Sequence, residues 1–241
     1  MSLSDFLGES SNSHAKEEIF NYRLLFDLKV AAAVGKYHLQ TYYSDVDHDG
    51  FDVIFDDTVN LRKVQLKTVG SKATTANWEI HKCILRPIHN NCEELGFDFT
   101  ASSGSEGGAI LIQYETIGTA DVEVKYYFTD IYLISAVVLG LLPRNKNTIE
   151  AAERVRNELT VGTSTEKVSV PKGLFLEVAS PQHLLCMIGL RSTIPESGWQ
   201  RRIRNIACET WGPKGRILPD EILKMKADFP NILSSVTGRC V

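Results

Sequence analysis

The 241-residue chain contains no apolar run long enough to cross a bilayer. Its longest, Ile131 to Leu142, lies between Asp130 and Arg144 and falls short of the roughly 20 residues a spanning helix needs. No basic start followed by an apolar stretch opens the chain, so no secretory leader is expected. Cysteine is sparse: Cys83, Cys92, Cys186, Cys208 and Cys240 are odd in number, dispersed, and form no Cys-x-x-Cys pair. That argues against a disulfide framework and for free thiols in a reducing cytoplasm. Basic charge is not in excess either, with 26 Lys and Arg against 30 Asp and Glu, so a generic nucleic-acid coat protein is excluded. No Gly-Lys-Ser/Thr follows the Gly/Ser loop at 101–108, no Gly-x-Ser-x-Gly elbow is present, and no internal repeat is visible. A nucleotide phosphate loop and a serine-hydrolase elbow are therefore unsupported.

What is there is an ordinary globular composition, 43% apolar and 23% charged, long enough to bury a full core. The charge is uneven. Residues 161–241 carry 11 Lys and Arg against 7 Asp and Glu, and the first 160 carry 15 against 23. An acidic half with a basic tail half fits a metal site beside a phosphate-contacting surface. It is also what an ordinary uneven surface gives.

The densest signal is the run DGFDVIFDDTVNLRKVQLKT. It reads as two strands joined by the turn formers of 56–60. Alternation puts Lys63, Gln65 and Lys67 on one face of the second strand and Val64, Leu66 and Thr68 on the other. Folding this hairpin brings a carboxylate (Asp52), an amide oxygen (Gln65) and an ammonium (Lys67) together, a grouping suited to a divalent metal beside a phosphate.

Asp52 followed by Gln65-x-Lys67 resembles the PD-(D/E)XK nuclease superfamily, in the Gln-x-Lys form of Mrr-like restriction endonucleases. His48-Asp49-Gly50-Phe51-Asp52 and Val64-Gln65-Leu66-Lys67 are the matching residues. His48 stands where that pattern has its first Asp, and no Pro precedes Asp52. The resemblance implies an α/β, restriction-endonuclease-like core with a mixed central sheet flanked by helices. It implies a Mg²⁺- or Mn²⁺-dependent endonuclease acting on nucleic acid, DNA in the first place, in restriction or defence, with a homodimer as a common form. Asp52 and Gln65 would hold the metal, and Lys67 would orient the attacking water or stabilise the charge developing on phosphorus. A Glu early in the first helix would assist, Glu18 or Glu17, with Glu18 preferred. The rival reading is a nuclease fold kept without catalysis, binding nucleic acid or a protein partner, and Gln65 in place of a carboxylate supports it.

Along the chain the composition suggests a disordered lead-in over 1–12, a nuclease-like α/β core over 13–145 and a mainly helical C-terminal region over 146–241. Ser13 suits an N-cap for a helix over 14–34, with Ile19, Tyr22, Phe26, Val30 and Ala33 at helical spacing and Gly35 as its stop. Strands are expected over 37–43, in the hairpin, over 78–85 and 108–117, and along the whole of 121–138. A short helix is expected over 87–96, and a flexible loop over 101–108. Further helices are expected over 147–159 (with Asn147 and Glu150 as a capping box), from Pro181 to Gly189, over 199–211 behind Ser197, and from Pro219 to Pro230.

Three weaker constellations remain. Asp45, Asp47, Asp49 and Gly50 with Asp56 in twelfth place match part of an EF-hand loop, but the exit reads as strand, not helix. His81 and Cys83 with His89 and Cys92 have irregular spacing for zinc. Arg201, Arg202 and Arg204 are the best candidates for nucleic-acid phosphate contact, against a solvated helix face. Trp199 and Trp211 read as core anchors.

Overall fold

The computed structural model describes residues 2–43, 50–195, 198–215 and 217–239. Where a disordered lead-in is expected it has a helix, α1 (Leu3–Gly8). Ser2 and Asp5 cap each other's backbone N–H, Leu7 is buried, and Leu3 N–H donates to the Thr119 carbonyl. A cap, a core anchor and a backbone tie together outweigh the polar composition.

The long helix α2 (Ser13–Val34) starts and stops close to expectation but turns its other face inward. Phe20, Leu24, Leu28 and Ala32 are buried, whereas Tyr22 and Phe26 are 64% and 65% exposed. The helix carries apolar residues on two faces, and spacing alone does not rank two stripes. Contact with the sheet decides: the Phe20 ring stacks on Tyr114 at 4.3 Å, and Tyr126 donates its hydroxyl to Asp27 at 2.6 Å.

The antiparallel meander β1 (Gln40–Tyr43), β2 (Val53–Asp56) and β3 (Leu61–Gly70) follows. The segment 71–107 then leaves the sheet, forming β4 (Asn77–His81) and two single-turn helices, α3 (Lys82–Leu85) and α4 (His89–Cys92). The expected strand 78–85 thus ends at His81, and the expected helix 87–96 shrinks to one turn. The chain returns as β5 (Gly108–Ile117), parallel to β3, and turns into the antiparallel β6 (Asp121–Asp130).

The expected long strand stops at Asp130. Its carboxylate accepts from Leu133 N–H at 2.8 Å and opens α5 (Ile131–Val138). Every residue from Ile131 to Val137 is buried, and a run buried all round has no period to separate strand from helix.

The remainder is α6 (Lys146–Leu159), β7 (Lys167–Pro171), β8 (Leu176–Glu177), α7 (Pro181–Ile188), α8 (Trp199–Trp211) and α9 (Pro219–Thr237). Asn145 caps α6 in place of Asn147, and α7 is capped by Ser180 and closed by Gly189 as the sequence suggests. The proposed cap of α8, Ser197, lies outside the described residues. Pro230 does not end α9: Phe229, Ile232, Leu233 and Val236 are buried around it, and that packing offsets a helix-interior proline costing about 3 kcal/mol.

The result is an α/β architecture. A mixed six-stranded sheet, ordered β1-β2-β3-β5-β6-β8, is accompanied by a two-stranded sheet of β4 and β7. Helix α2 covers the sheet side that bears Val64, Leu66, Tyr114 and Tyr126, with α7 against it. Strand β4 stands over the other side. One continuous core runs from Leu7 to Val236, with Trp199 wholly inside it and Trp211 packed on its edge. The Gly/Ser segment expected as flexible is a packed strap. The N–H groups of Gly104, Ser105, Glu106 and Gly107 donate to the carbonyls of Pro87, Cys83, Arg86 and Ile84 at 2.7–2.8 Å. A Cβ on Gly107 would lie 2.0 Å from the Lys63 carbonyl oxygen, so the close approach requires glycine.

Candidate functional site

The hairpin places its three motif residues as follows. Val53 faces Val64 in the ladder, yet Asp52 N–H also donates to the Val64 carbonyl at 3.0 Å. The chain therefore bulges at Asp52, one residue before β2. The bulge turns the Asp52 carboxylate onto the Leu66 N–H, at 2.5 Å, between Gln65 and Lys67. Gln65 is 5% exposed, and its Oε1 accepts from His81 N–H at 3.1 Å. Lys67 is half-buried, on the Gln65 side of β3, and makes no hydrogen bond or ion pair with any described residue.

His81 is a neighbour that sequence reasoning weighed only as a zinc ligand. Gly50, at φ +70°, lies against its imidazole so closely that a Cβ would come within 2.2 Å of Cγ. Gly50 and Gln65 thus hold His81 between them. On the same side of β3, Lys63 borders a cavity of about 570 Å³ lined also by Cys83, Ser103, Ser105, Ser164 and Thr165.

Glu18 and Glu17 are not brought to this group. Both are exposed on α2, across the sheet from Gln65 and Lys67, and Glu18 lies 3.8 Å from His14 Nδ1. Among the described residues no three His, Cys, Asp or Glu side chains converge on a common point. Asp45, Asp47, His48 and Asp49, which carry the calcium-loop reading, lie outside the described residues.

The arginines divide. Arg202 points to solvent, whereas Arg201 and Arg204 border a second cavity, of about 400 Å³, together with Arg62 and Arg191. This cavity sits where β3 and β5 begin and β6 ends, beside the start of α8. Its wall includes Glu106, a buried residue at φ +51°, whose carboxylate accepts from Tyr132 Oη at 2.7 Å, Asn91 Nδ2 at 2.7 Å and Ile88 N–H at 3.2 Å. Burial, followed by the charge of Glu106, raises the Tyr132 phenol well above its ordinary range, so it stays a donor. Arg204 bonds Asn91 Oδ1 at 2.7 Å and lies 2.8 Å from Glu94, an ion pair not aligned as a hydrogen bond through Nε.

Behind this wall Gln200 Nε2 donates to Asp130 at 2.8 Å, and Arg62 Nη2 reaches Gln200 Oε1 at 3.4 Å. Arg62 sits three residues before Gln65 and Glu106 is the one charge in the strap. Neither carries a spacing that marks it in sequence, because the cavity gathers residues from distant segments.

No known protein family, curated protein or solved structure matches the chain.

Proposed function

We propose that the protein is a divalent-metal-dependent nuclease, acting on DNA in the first place, with the β2–β3 hairpin as its centre. The observation that carries this reading is the Asp52 carboxylate resting on the amide between Gln65 and Lys67, with the Lys67 ammonium unpaired among the described residues. An ammonium with no partner among the described residues is available to an anion, and a phosphodiester is such an anion. The order of helix α2, meander β1–β3 and parallel return β5 also supports the nuclease-core resemblance.

The donors suit a hard cation. Asp52 supplies a carboxylate, and the Gln65 amide oxygen has a second lone pair beyond the one used by His81. When bound, Mg²⁺ or Mn²⁺ screens the phosphodiester charge and lowers the pKa of its bound water. Lys67 then steadies the charge developing on phosphorus. Lys63 and the hydroxyls of Ser103 and Ser164 offer donors to the nucleic-acid strand on the same side. One carboxylate gives a weak site, so millimolar metal is expected to be required.

The test is cleavage of plasmid and single-stranded DNA with Mg²⁺ or Mn²⁺. Lys67→Ala is expected to abolish cleavage while keeping the fold, and Asp52→Asn to reduce it strongly while keeping an acceptor for Leu66. Cleavage that survives both substitutions removes the hairpin from the mechanism. A specific observation favours a second reading, a non-catalytic nucleic-acid-binding module: Asp52 and Gln65 each already accept a backbone N–H. Binding of DNA with no cleavage under any divalent ion selects that reading.

A further inference from the structure

We infer that the arginine-lined cavity between β3 and α8 is a binding site for a terminal phosphate, the phosphomonoester of a ligand of nucleotide size. It lies on the α2 side of the sheet, across from Gln65 and Lys67, and stands whether or not the hairpin cleaves.

The charge inventory is the first argument. Arg62, Arg191, Arg201 and Arg204 border the cavity, against one carboxylate, Glu106, among its described lining residues. Glu106 is already satisfied by three neutral donors. Arg204 is paired with Glu94 and Asn91. The other three guanidinium groups have no carboxylate partner among the described residues, and Arg62 has only a long contact to Gln200.

The second argument is the cost of that state. Arg62 Nε is buried without an acceptor. A buried charged donor left without an acceptor is costly, and a phosphate oxygen is an acceptor of the kind that Arg62 Nε lacks. Guanidinium groups match the oxygens of phosphate in paired hydrogen bonds, and three of them without a carboxylate partner border this one cavity.

Backbone strain is the third. Glu106 adopts the left-handed region that non-glycine residues avoid. The strap that forces this is fixed by four backbone hydrogen bonds. Such strain persists where the surroundings over-determine it, often at ligand sites. Here it sets the carboxylate at the cavity wall, where it spaces Tyr132 and Asn91 and, through Asn91, Arg204.

Size narrows the ligand. About 400 Å³ is within the range of small-molecule pockets and exceeds what inorganic phosphate fills. Two sources supply this chemistry: a free nucleoside monophosphate, or the 5′-phosphorylated end of a nucleic acid.

The experiment is calorimetric titration of the full chain in EDTA at fixed ionic strength, which excludes any metal-dependent cleavage. The probes are thymidine, its 5′-monophosphate, and a short oligothymidine with either a 5′-phosphate or a 5′-hydroxyl. The monophosphate is expected to bind and thymidine not to, with Arg191→Gln and Arg62→Gln each weakening it about tenfold or more, equivalent to about 1.4 kcal/mol. Arg191 is exposed, so its substitution leaves the core intact even if Arg62→Gln unfolds. Lys224→Gln, on the exposed surface of α9, is the control for net charge. Preference for the phosphorylated oligothymidine over its hydroxyl form assigns the site to nucleic-acid ends. Binding of the mononucleotide with no such preference assigns it to a free nucleotide. No binding of either phosphorylated probe, or equal loss in Lys224→Gln and Arg191→Gln, overturns the inference.

Discussion

Asp130 shows how one residue joins fold and cavity. It ends β6, caps α5 and holds Gln200, all while almost wholly buried. Burial pushes its carboxyl up to about 7, against the downward pull of its hydrogen bonds to Leu133 and Gln200 and of the nearby Arg62 charge. The ordinary value is 3.8. Between these two pH values the folded protein keeps a proton that the unfolded chain releases, so this group favours folding most below the lower value. Its contribution falls as pH rises toward the higher one and then levels off. Each unit of displacement corresponds to about 1.4 kcal/mol. The thermal midpoint of Asp130→Asn is therefore expected to gain on the wild type as pH goes from about 5 to about 7.5. Parallel pH profiles for the two proteins would show that Asp130 ionises freely in the fold.

At the level of elements, the helix closures were legible and the burial of faces was not. Ser180-Pro181 and Gly189 bracket α7 as cap chemistry requires, and the Gly189 φ of +79° explains the glycine. Two features misled. The two-faced α2 needed the sheet to choose its inner side, and the wholly apolar Ile131–Val137 hid a helix after a strand. Gly189 also touches the arginine cavity, since an added Cβ would come 2.6 Å from Gln200 Oε1 and 3.1 Å from Arg62 Nη2. Gly140 provides a matched comparison, with φ +69° and open space around it. Gly140→Ala should show only the backbone cost, roughly 1–2 kcal/mol. Gly189→Ala should lose more in denaturant midpoint and also disturb the Arg62–Gln200 contact. Equal losses in the two variants would mean that those side chains yield without cost.

Across the whole molecule, a core followed by a helical extension is a reading that sequence order invites and that packing redraws. Residues after 145 supply β7 to pair with β4, β8 to pair with β6, and α7 to cover α2. Leu184 and Phe229 share one core with Phe20 and Val64. Sequence pattern finds strands but not their partners across a hundred residues, for the same reason that it misses the arginine cavity. It found the hairpin because those contacts are local, within 14 positions from Asp52 to Leu66. A fragment ending at residue 145 should lack a cooperative thermal transition and bind hydrophobic dyes. A sharp transition in that fragment would show that the first half is self-sufficient.

The parallel alignment of β3 with β5 imposes an order of assembly. Hairpins on either side of it, β2 with β3 and β5 with β6, involve neighbouring segments and zip as soon as their turns close. The seam between them must wait until everything from Ser71 to Gly107 has looped out and come back, and closing that loop costs entropy before any rung repays it. Both cavities border the starts of β3 and β5, so their walls come into being only when that seam shuts. A ribosome-bound chain halted before β5 emerges would own the β2–β3 hairpin and neither cavity.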